Sequence, residues 1–163
     1  MVIYINEPSF VCQGKRGFSC LFEIIGENCS GKSTLADEIK KSMDAQVVTG
    51  KDYLRMAKSE SEAVILFKEK LRNAVSGENI IYVISEPEHI NLLPDGAIRI
   101  LVSADIDTIK ERFKARMHGN LPAPVEQMLE KKHGMFDGGV YDYYFDGVNG
   151  DAAVLCETLK KLC

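Results

Sequence analysis

The segment that most constrains the fold is GENCSGKST, residues 26–34, which directly follows the apolar run CLFEIIG. Residues 26–33 fit the pattern G-x-x-x-x-G-K-[ST], in which glycines let the backbone wrap until successive N–H groups point inward. A helix that begins at Lys32 or Ser33 would add its N-terminal dipole to the same point. A turn capped by Ser30 or Ser33 is the alternative, but the full pattern between an apolar strand and an amphipathic helix predicts a phosphate-binding loop.

This loop supplies the candidate nucleotide ligands. Lys32 is expected to reach the β- and γ-phosphates of ATP, and the Ser33 hydroxyl is expected to bind Mg²⁺. Cofactors are therefore predicted to be ATP and Mg²⁺. The candidate ATP-binding residues are Gly26, Glu27, Asn28, Cys29, Ser30, Gly31, Lys32, Ser33 and Thr34.

Strand and helix patterns alternate through the rest of the chain. Short apolar runs predict strands at residues 20–25, 45–49, 79–84, 97–102 and 140–145. Apolar residues at i, i+3 and i+4 predict helices at 32–42, 61–75, 105–117 and 151–162. Such alternation predicts an α/β fold of three layers, with a five-stranded parallel sheet between helices.

Two segments fit this alternation less well. Residues 1–18 are predicted to form an N-terminal extension, either a strand or a hairpin that turns at residues 14–17. Residues 118–126, HGNLPAPVE, are polar and contain two prolines, which indicates a mobile excursion between helical patterns. With 163 residues, the chain is predicted to be a single domain.

Composition limits the classes of partner. The net charge of -4 does not favour a surface for a nucleic-acid polymer, and no apolar run is long enough to span a membrane. The N-terminus lacks the basic start of a signal peptide. Five cysteines, an odd number without a Cys-x-x-Cys pair, favour reduced thiols in a cytoplasmic protein. A homodimer through residues 1–18 and a hairpin that extends the chain's own sheet both stay open.

Beyond the phosphate loop, the segment TGKDYLR (residues 49–55) resembles the P-loop small-molecule kinases, particularly nucleoside-monophosphate kinases of the adenylate and cytidylate type. The resemblance covers most of residues 19–163 and implies strand order 2-3-1-4-5. It also implies that Thr49, Gly50 and Arg55 bind the acceptor. One more residue separates Gly50 from Arg55 here than in the adenylate-type pattern.

The resemblance further implies a short lid at about residues 117–137, entered by the helix IKERFKARMHG (residues 109–119). Arg112 and Arg116 share one face of that helix and would close over the transferring phosphoryl group. A solvated charged face is the alternative, because Lys110, Glu111 and Lys114 lie on the same helix. The chain departs from the family after strand 79–84, where Glu86 stands near the place of the usual aspartate. Glu86 is either a substitute Mg²⁺ ligand or a surface residue.

The acceptor is not fixed by these patterns. A nucleoside monophosphate is the first expectation, resting on residues 49–55. A small sugar acid or alcohol, as in shikimate- or gluconate-type kinases of the same fold, is the second, and Asp52 would then accept the hydroxyl proton. Otherwise Asp52 serves orientation or is a helix N-cap. A nucleotide-binding protein without transferase activity is a further alternative, whereas the motifs of a regulatory GTPase are missing.

Overall fold

The computed structural model describes residues 20–74 and 77–163. The predicted N-terminal extension and residue 75 of the predicted second helix lie outside these residues. The strands are β1 (Leu21–Ile25), β2 (Gln46–Thr49), β3 (Ile80–Ile84), β4 (Ile98–Ser103) and β5 (Tyr143–Asp146). The α-helices are α1 (Lys32–Ser42), α2 (Glu60–Ala74), α3 (Ile106–Arg116), α4 (Ala123–Lys132) and α5 (Ala152–Lys160). Two 3₁₀ helices, Asp52–Met56 and Pro87–Leu92, follow β2 and β3.

The five strands form one parallel sheet in the order β2-β3-β1-β4-β5. This is the predicted fold class and strand order. β1 and β3 are buried along their whole length, because helices cover both faces of the sheet. Among the described residues, no helix is long and apolar enough to cross a membrane.

Two apolar layers hold the helices to the sheet. Phe22, Ile24 and Ile100 point to the face that packs against Leu35 and Ile39 of α1 and against Leu155 of α5. Leu21, Ile25 and Tyr82 point to the other face, where α2 contributes Phe67 and Leu71. Alternation along β1 explains this division, since neighbouring side chains of a strand point to opposite faces.

A buried carboxylate interrupts the second layer. Glu23 of β1 has no solvent exposure, and its Oε2 accepts a hydrogen bond of 3.1 Å from Nε of Arg99 on β4. Burial raises the pKa of Glu23 to about 8, against the opposing charge of Arg99. The backbone N–H of Arg99 donates in turn to Asp142, just before β5. This pair therefore ties three neighbouring strands together.

The structure contradicts two expectations drawn from the sequence, one about a segment before α4 and one about the cysteines. The segment 118–126 was predicted as a mobile excursion, but α4 begins within it at Ala123, directly after Pro122 at the N-cap. Pro124 lies in the first turn, where the backbone N–H has no partner within the helix and its absence is tolerated. The prediction of reduced thiols was also wrong for one pair, because Cys20 and Cys163 form a disulfide. Cys29 and Cys156 are free and buried.

Candidate active site

A cleft of about 1120 Å³ opens at the carboxyl end of the sheet. Its walls come from the loops that follow β1, β2, β3 and β5 and from the end of α3. In the sheet, β1 lies between β3 and β4: β2 and β3 are added on one side of β1, and β4 and β5 on the other. The cleft therefore lies at the topological switch point of the sheet. Open α/β sheets bind ligands at this position.

The phosphate loop forms one end of the cleft. Gly31 is the N-cap of α1 with φ of 111°, a backbone conformation that a residue with Cβ rarely adopts. Among the described residues, no side chain caps this helix. The hydroxyl of Ser30 is buried and has no partner in the described part of the chain. The alternative of a turn capped by Ser30 or Ser33 is therefore not what the chain forms, and the first N–H groups of α1 are available to an anion.

Lys32 is held inside the loop. Its side chain is buried, and Nζ donates a hydrogen bond to the carbonyl oxygen of Glu27. Burial, together with the nearby positive charge of Arg116, lowers the pKa of Lys32 to about 8, against the opposing effects of Cys29, Glu27 and Glu86. A polyphosphate would offer Nζ stronger acceptors than one carbonyl, and it would restore the positive charge that burial disfavours.

The two arginines of α3 have different surroundings. Arg112 Nη1 donates to the carbonyl oxygen of Cys29 at 3.1 Å, and Nη2 donates to that of Gly147 at 2.9 Å. The prediction that Arg112 moves with a closing lid does not fit these contacts, which fasten it to the phosphate loop and to the loop after β5. Arg116 is exposed and lines the cleft four residues further along.

The opposite wall contains the predicted acceptor residues. Thr49, Gly50, Asp52 and Arg55 all line the cleft. Asp52 Oδ2 accepts hydrogen bonds from Thr49 Oγ1 at 2.6 Å and from Thr49 N at 3.0 Å, and these bonds lower the pKa of Asp52. Its side chain therefore turns back to β2 instead of capping the 3₁₀ helix that begins at Asp52. Gly50 is fixed through its carbonyl oxygen, which accepts a bond of 2.9 Å from the hydroxyl of Tyr82.

The two predicted metal ligands, Ser33 and Glu86, have different surroundings. Ser33 lines the cleft, as a ligand of a nucleotide-bound cation must. Glu86 follows β3, and its Oε2 lies 3.6 Å from Nζ of Lys132. Within residues 20–74 and 77–163, no group of three or more His, Cys, Asp or Glu side chains is placed to hold a metal ion. Mg²⁺ at kinase sites keeps several waters and takes phosphate oxygens as ligands, so one hydroxyl and one carboxylate fit its needs.

Sequence reasoning missed the role of α4. Leu129 of α4 packs with Cys29 of the phosphate loop and Ile109 of α3 in a third apolar cluster. Lys110 of α3 forms ion pairs with Glu126 and Glu130 of α4. The region predicted as a lid thus contains a helix that rests on the phosphate loop, and residues 117–120 before this helix are exposed and outside any helix.

A second missed contact joins α4 to the loop through Glu27. Glu27 Oε1 accepts a bond of 2.7 Å from the N–H of Gly134, and Oε2 lies 3.1 Å from His133 Nδ1. The loop pattern leaves position 27 open to any residue, so it carries no signal for this contact. The basic run at residues 131–133, which looks like an ordinary solvated helix end, was the only hint.

No protein-family model matches the chain, and no curated protein is significantly similar to it in sequence. Solved structures share its fold. An unliganded sugar kinase from Janibacter sp. HTCC2649 superposes with a TM-score of 0.59 at 15% identity, covering 88% of this chain and 94% of the other. A shikimate kinase from Acinetobacter baumannii in complex with shikimate gives 0.59 at 13% identity, with coverage of 88% and 92%.

A deoxyadenosine kinase from M. mycoides with bound dATP gives a TM-score of 0.51 at 17% identity, covering 86% of this chain and 97% of the other. At these identities the likeness concerns the fold. The chain has the α/β architecture of P-loop small-molecule kinases, as its loop and strand order predicted.

Proposed function

We propose that this protein transfers the γ-phosphoryl group of ATP to a small acceptor. The observation that carries this proposal is the placement of the phosphate loop, with Lys32 and the uncapped start of α1, across one cleft from Asp52 and Arg55. Phosphoryl transfer needs mainly positioning and positive charge, and both are present at this end of the cleft.

Different residues of the cleft would bind the phosphates, hold Mg²⁺ and close over the transferring group. The N–H groups of the loop and Lys32 bind the β- and γ-phosphates, while Ser33, with Glu86 nearby, would hold Mg²⁺. That ion neutralises charge on the phosphate oxygens when it is bound. Arg116 reaches the γ-phosphate as the exposed segment 117–120 closes, and closure excludes water that would otherwise accept the phosphoryl group.

The surroundings of Asp52 favour a hydroxyl as the acceptor. In this reaction the acceptor oxygen bonds to the γ-phosphorus, the bond from that phosphorus to the β,γ-bridging oxygen of ATP breaks, and the hydroxyl proton passes to Asp52. Thr49 donates two hydrogen bonds to Oδ2 of Asp52, so Oδ1 is left to contact the acceptor hydroxyl and accept its proton. The sugar kinase and shikimate kinase with this fold are named for such acceptors. Arg55 beside Asp52 would bind an anionic group of the acceptor.

A nucleoside monophosphate is the second candidate. Arg55 is exposed in the cleft and follows Thr49 and Gly50 as the acceptor-binding arginine of nucleoside-monophosphate kinases does. Against it stands the charge of Asp52, which would repel the acceptor phosphate at close range. A protein that binds nucleotide without transferring phosphate is the third candidate. It is supported by the absence of the usual aspartate after β3.

The deciding measurement is ADP release from MgATP in the presence of nucleoside monophosphates, shikimate, gluconate and a set of small sugars. We expect acceptor-dependent release that disappears in Lys32→Ala, with the melting temperature retained. ADP release by Lys32→Ala at the wild-type rate would overturn the proposal. ATP-dependent thermal stabilisation without release for any acceptor would favour the binding protein.

A further inference from the structure

The phosphate loop carries an acidic side chain where a polyanion is expected to bind. Lys32 is the group that reaches the β- and γ-phosphates, and its Nζ contacts the carbonyl oxygen of Glu27. Glu27 therefore stands at the β,γ end of the site. A carboxylate that turned towards the phosphates would repel them, and the repulsion would grow with each phosphate charge.

The structure shows how this charge is kept out of the cleft. Glu27 is not among the residues that line the cleft, and its side chain is only 17% exposed. Both carboxylate oxygens are engaged at the end of α4, one by Gly134 N at 2.7 Å and the other by His133 Nδ1 at 3.1 Å. A carboxylate only accepts hydrogen bonds, so Nδ1 of His133 carries the hydrogen.

Other contacts make this arrangement specific. Leu129 packs on Cys29, and the ion pairs of Lys110 fix α4 against α3, so the end of α4 arrives at Glu27 in a defined place. Glu86, the second carboxylate near Lys32, is held only by the exposed Lys132 at 3.6 Å. Exposed pairs of this kind are weak, so Glu86 can turn to a cation while Glu27 stays in place.

We propose that His133 is a positioning residue for nucleotide binding, which acts by holding the carboxylate of Glu27 away from the β- and γ-phosphates. It does not touch the nucleotide itself. This inference rests on the proposed binding of ATP but not on the identity of the acceptor or on transfer.

The test is the dissociation constants of MgATP and MgADP, measured by calorimetry on the full chain. His133→Ala should weaken MgATP binding on the order of tenfold and MgADP binding less, and added salt should reduce the difference. Glu27→Gln keeps an acceptor for Gly134 N and removes the charge, so it should bind MgATP at least as well as the wild type. The double variant should bind as Glu27→Gln does.

Two matched variants separate this role from packing. His133→Asn keeps a donor near the Nδ1 position and should bind as the wild type does, whereas His133→Gln moves the donor outward and should resemble His133→Ala. Lys131→Ala, which removes an exposed side chain in the last turn of α4, controls for a general disturbance at this end of the helix. The Asn and Gln variants also carry the test if His133→Ala does not fold.

Several results would overturn the inference: unchanged MgATP affinity in His133→Ala, a loss that Glu27→Gln does not restore, or equal affinity of the Asn and Gln variants. The proposed function fails differently, because in that case the wild type itself does not bind MgATP.

Discussion

Gly147 packs so closely against Ser30 that a Cβ at position 147 would lie 1.7 Å from the carbonyl oxygen of Ser30. The loop after β5 thus rests directly on the phosphate loop, and Arg112 joins the same two loops through the carbonyl oxygens of Cys29 and Gly147. The geometry of the phosphate site therefore depends on a segment more than 100 residues away in the sequence.

We expect Gly147→Ala to displace the phosphate loop. The loop after β5 and the phosphate loop cannot move apart without disturbing the hydrogen bonds that Arg112 makes to both. The variant should therefore lose about 1–3 kcal/mol of stability and bind ATP more weakly. Urea denaturation and calorimetry measure the two effects. Gly138→Ala is the matched control, because a Cβ there meets no atom within 4 Å. Wild-type ATP affinity in Gly147→Ala would show that the close contact does not shape the site.

Arg112 and Arg116 should affect different kinetic constants. Arg112→Ala removes two bonds that hold the loops together, so the KM for ATP should rise. Arg116→Ala should lower kcat by about 10²-fold or more with little change in ATP affinity, because the role proposed for Arg116 is to stabilise charge that develops during transfer. Steady-state kinetics with the acceptor found in the ADP-release measurement, together with ATP calorimetry, separates these effects. Equal losses in both constants for both variants would contradict the assignment.

Asp52→Asn distinguishes the two acceptor classes. The amide keeps the shape of the side chain but accepts no proton, so transfer to a hydroxyl should fall by about 10²–10⁴-fold while acceptor binding is retained. Transfer to a nucleoside monophosphate needs no such base and should survive or improve. The measurement is kcat together with the acceptor dissociation constant. A variant with near-wild-type kcat would exclude Asp52 as the base.

Glu23 should make stability depend on pH. Its pKa in the folded protein, about 8, lies above the value of 4.5 for an exposed glutamate. Its contribution to stability is therefore fully present below pH 4.5 and is lost as pH rises through about 8. Between pH 5 and 8.5 the wild type should lose more unfolding free energy than Glu23→Gln, by an amount on the order of a few kcal/mol. Denaturant unfolding at both pH values measures this. Parallel pH profiles for the two proteins would show that burial does not raise the pKa of Glu23.

The disulfide between Cys20 and Cys163 should respond to reductant. It closes a loop with a sequence separation of 143 residues, so reduction should cost about 4–5 kcal/mol of unfolding free energy in the chain-entropy account. Urea denaturation with and without dithiothreitol measures the difference. Cys163→Ser should have the reduced stability under both conditions and serves as the control. Equal stability of the wild type with and without dithiothreitol would show that the disulfide does not form or does not stabilise the fold.

The fold was predictable because its signals are local. Continuous apolar runs predict the buried strands β1 and β3, and the helical spacing of Leu35 and Ile39 predicts α1. The phosphate-loop motif between β1 and α1 is compatible with few backbone arrangements. The observed boundaries of the predicted elements differ from the expected ones by at most three residues. The last strand moved most, starting at Tyr143 and not at residue 140, because Val140 is exposed outside the sheet.

Candidate site residues could be predicted only where they belong to a sequence motif with a characteristic spacing. Most of the phosphate loop lines one cleft together with Asp52, Arg55 and Arg116, and the roles assigned to these residues stay predictions. The contacts of Glu27 with His133 and of Arg112 with Gly147 were not foreseeable, since each joins residues far apart in the sequence at positions that no pattern constrains. The disulfide was missed for the same reason, because a pairing of Cys20 with Cys163 depends on where the tertiary fold brings the two thiols.

The bond between Cys20 and Cys163 also changes the covalent topology of the domain. All five strands and all five α-helices described above lie within one closed ring of chain and disulfide. A single proteolytic cut in the exposed segment after α3 would therefore open the ring without releasing a fragment, and the two pieces would separate only under reducing conditions. A peptide linker could replace the disulfide as the connection between the two ends of the domain, and new termini could then be opened in another exposed segment. The domain is therefore suited to circular permutation.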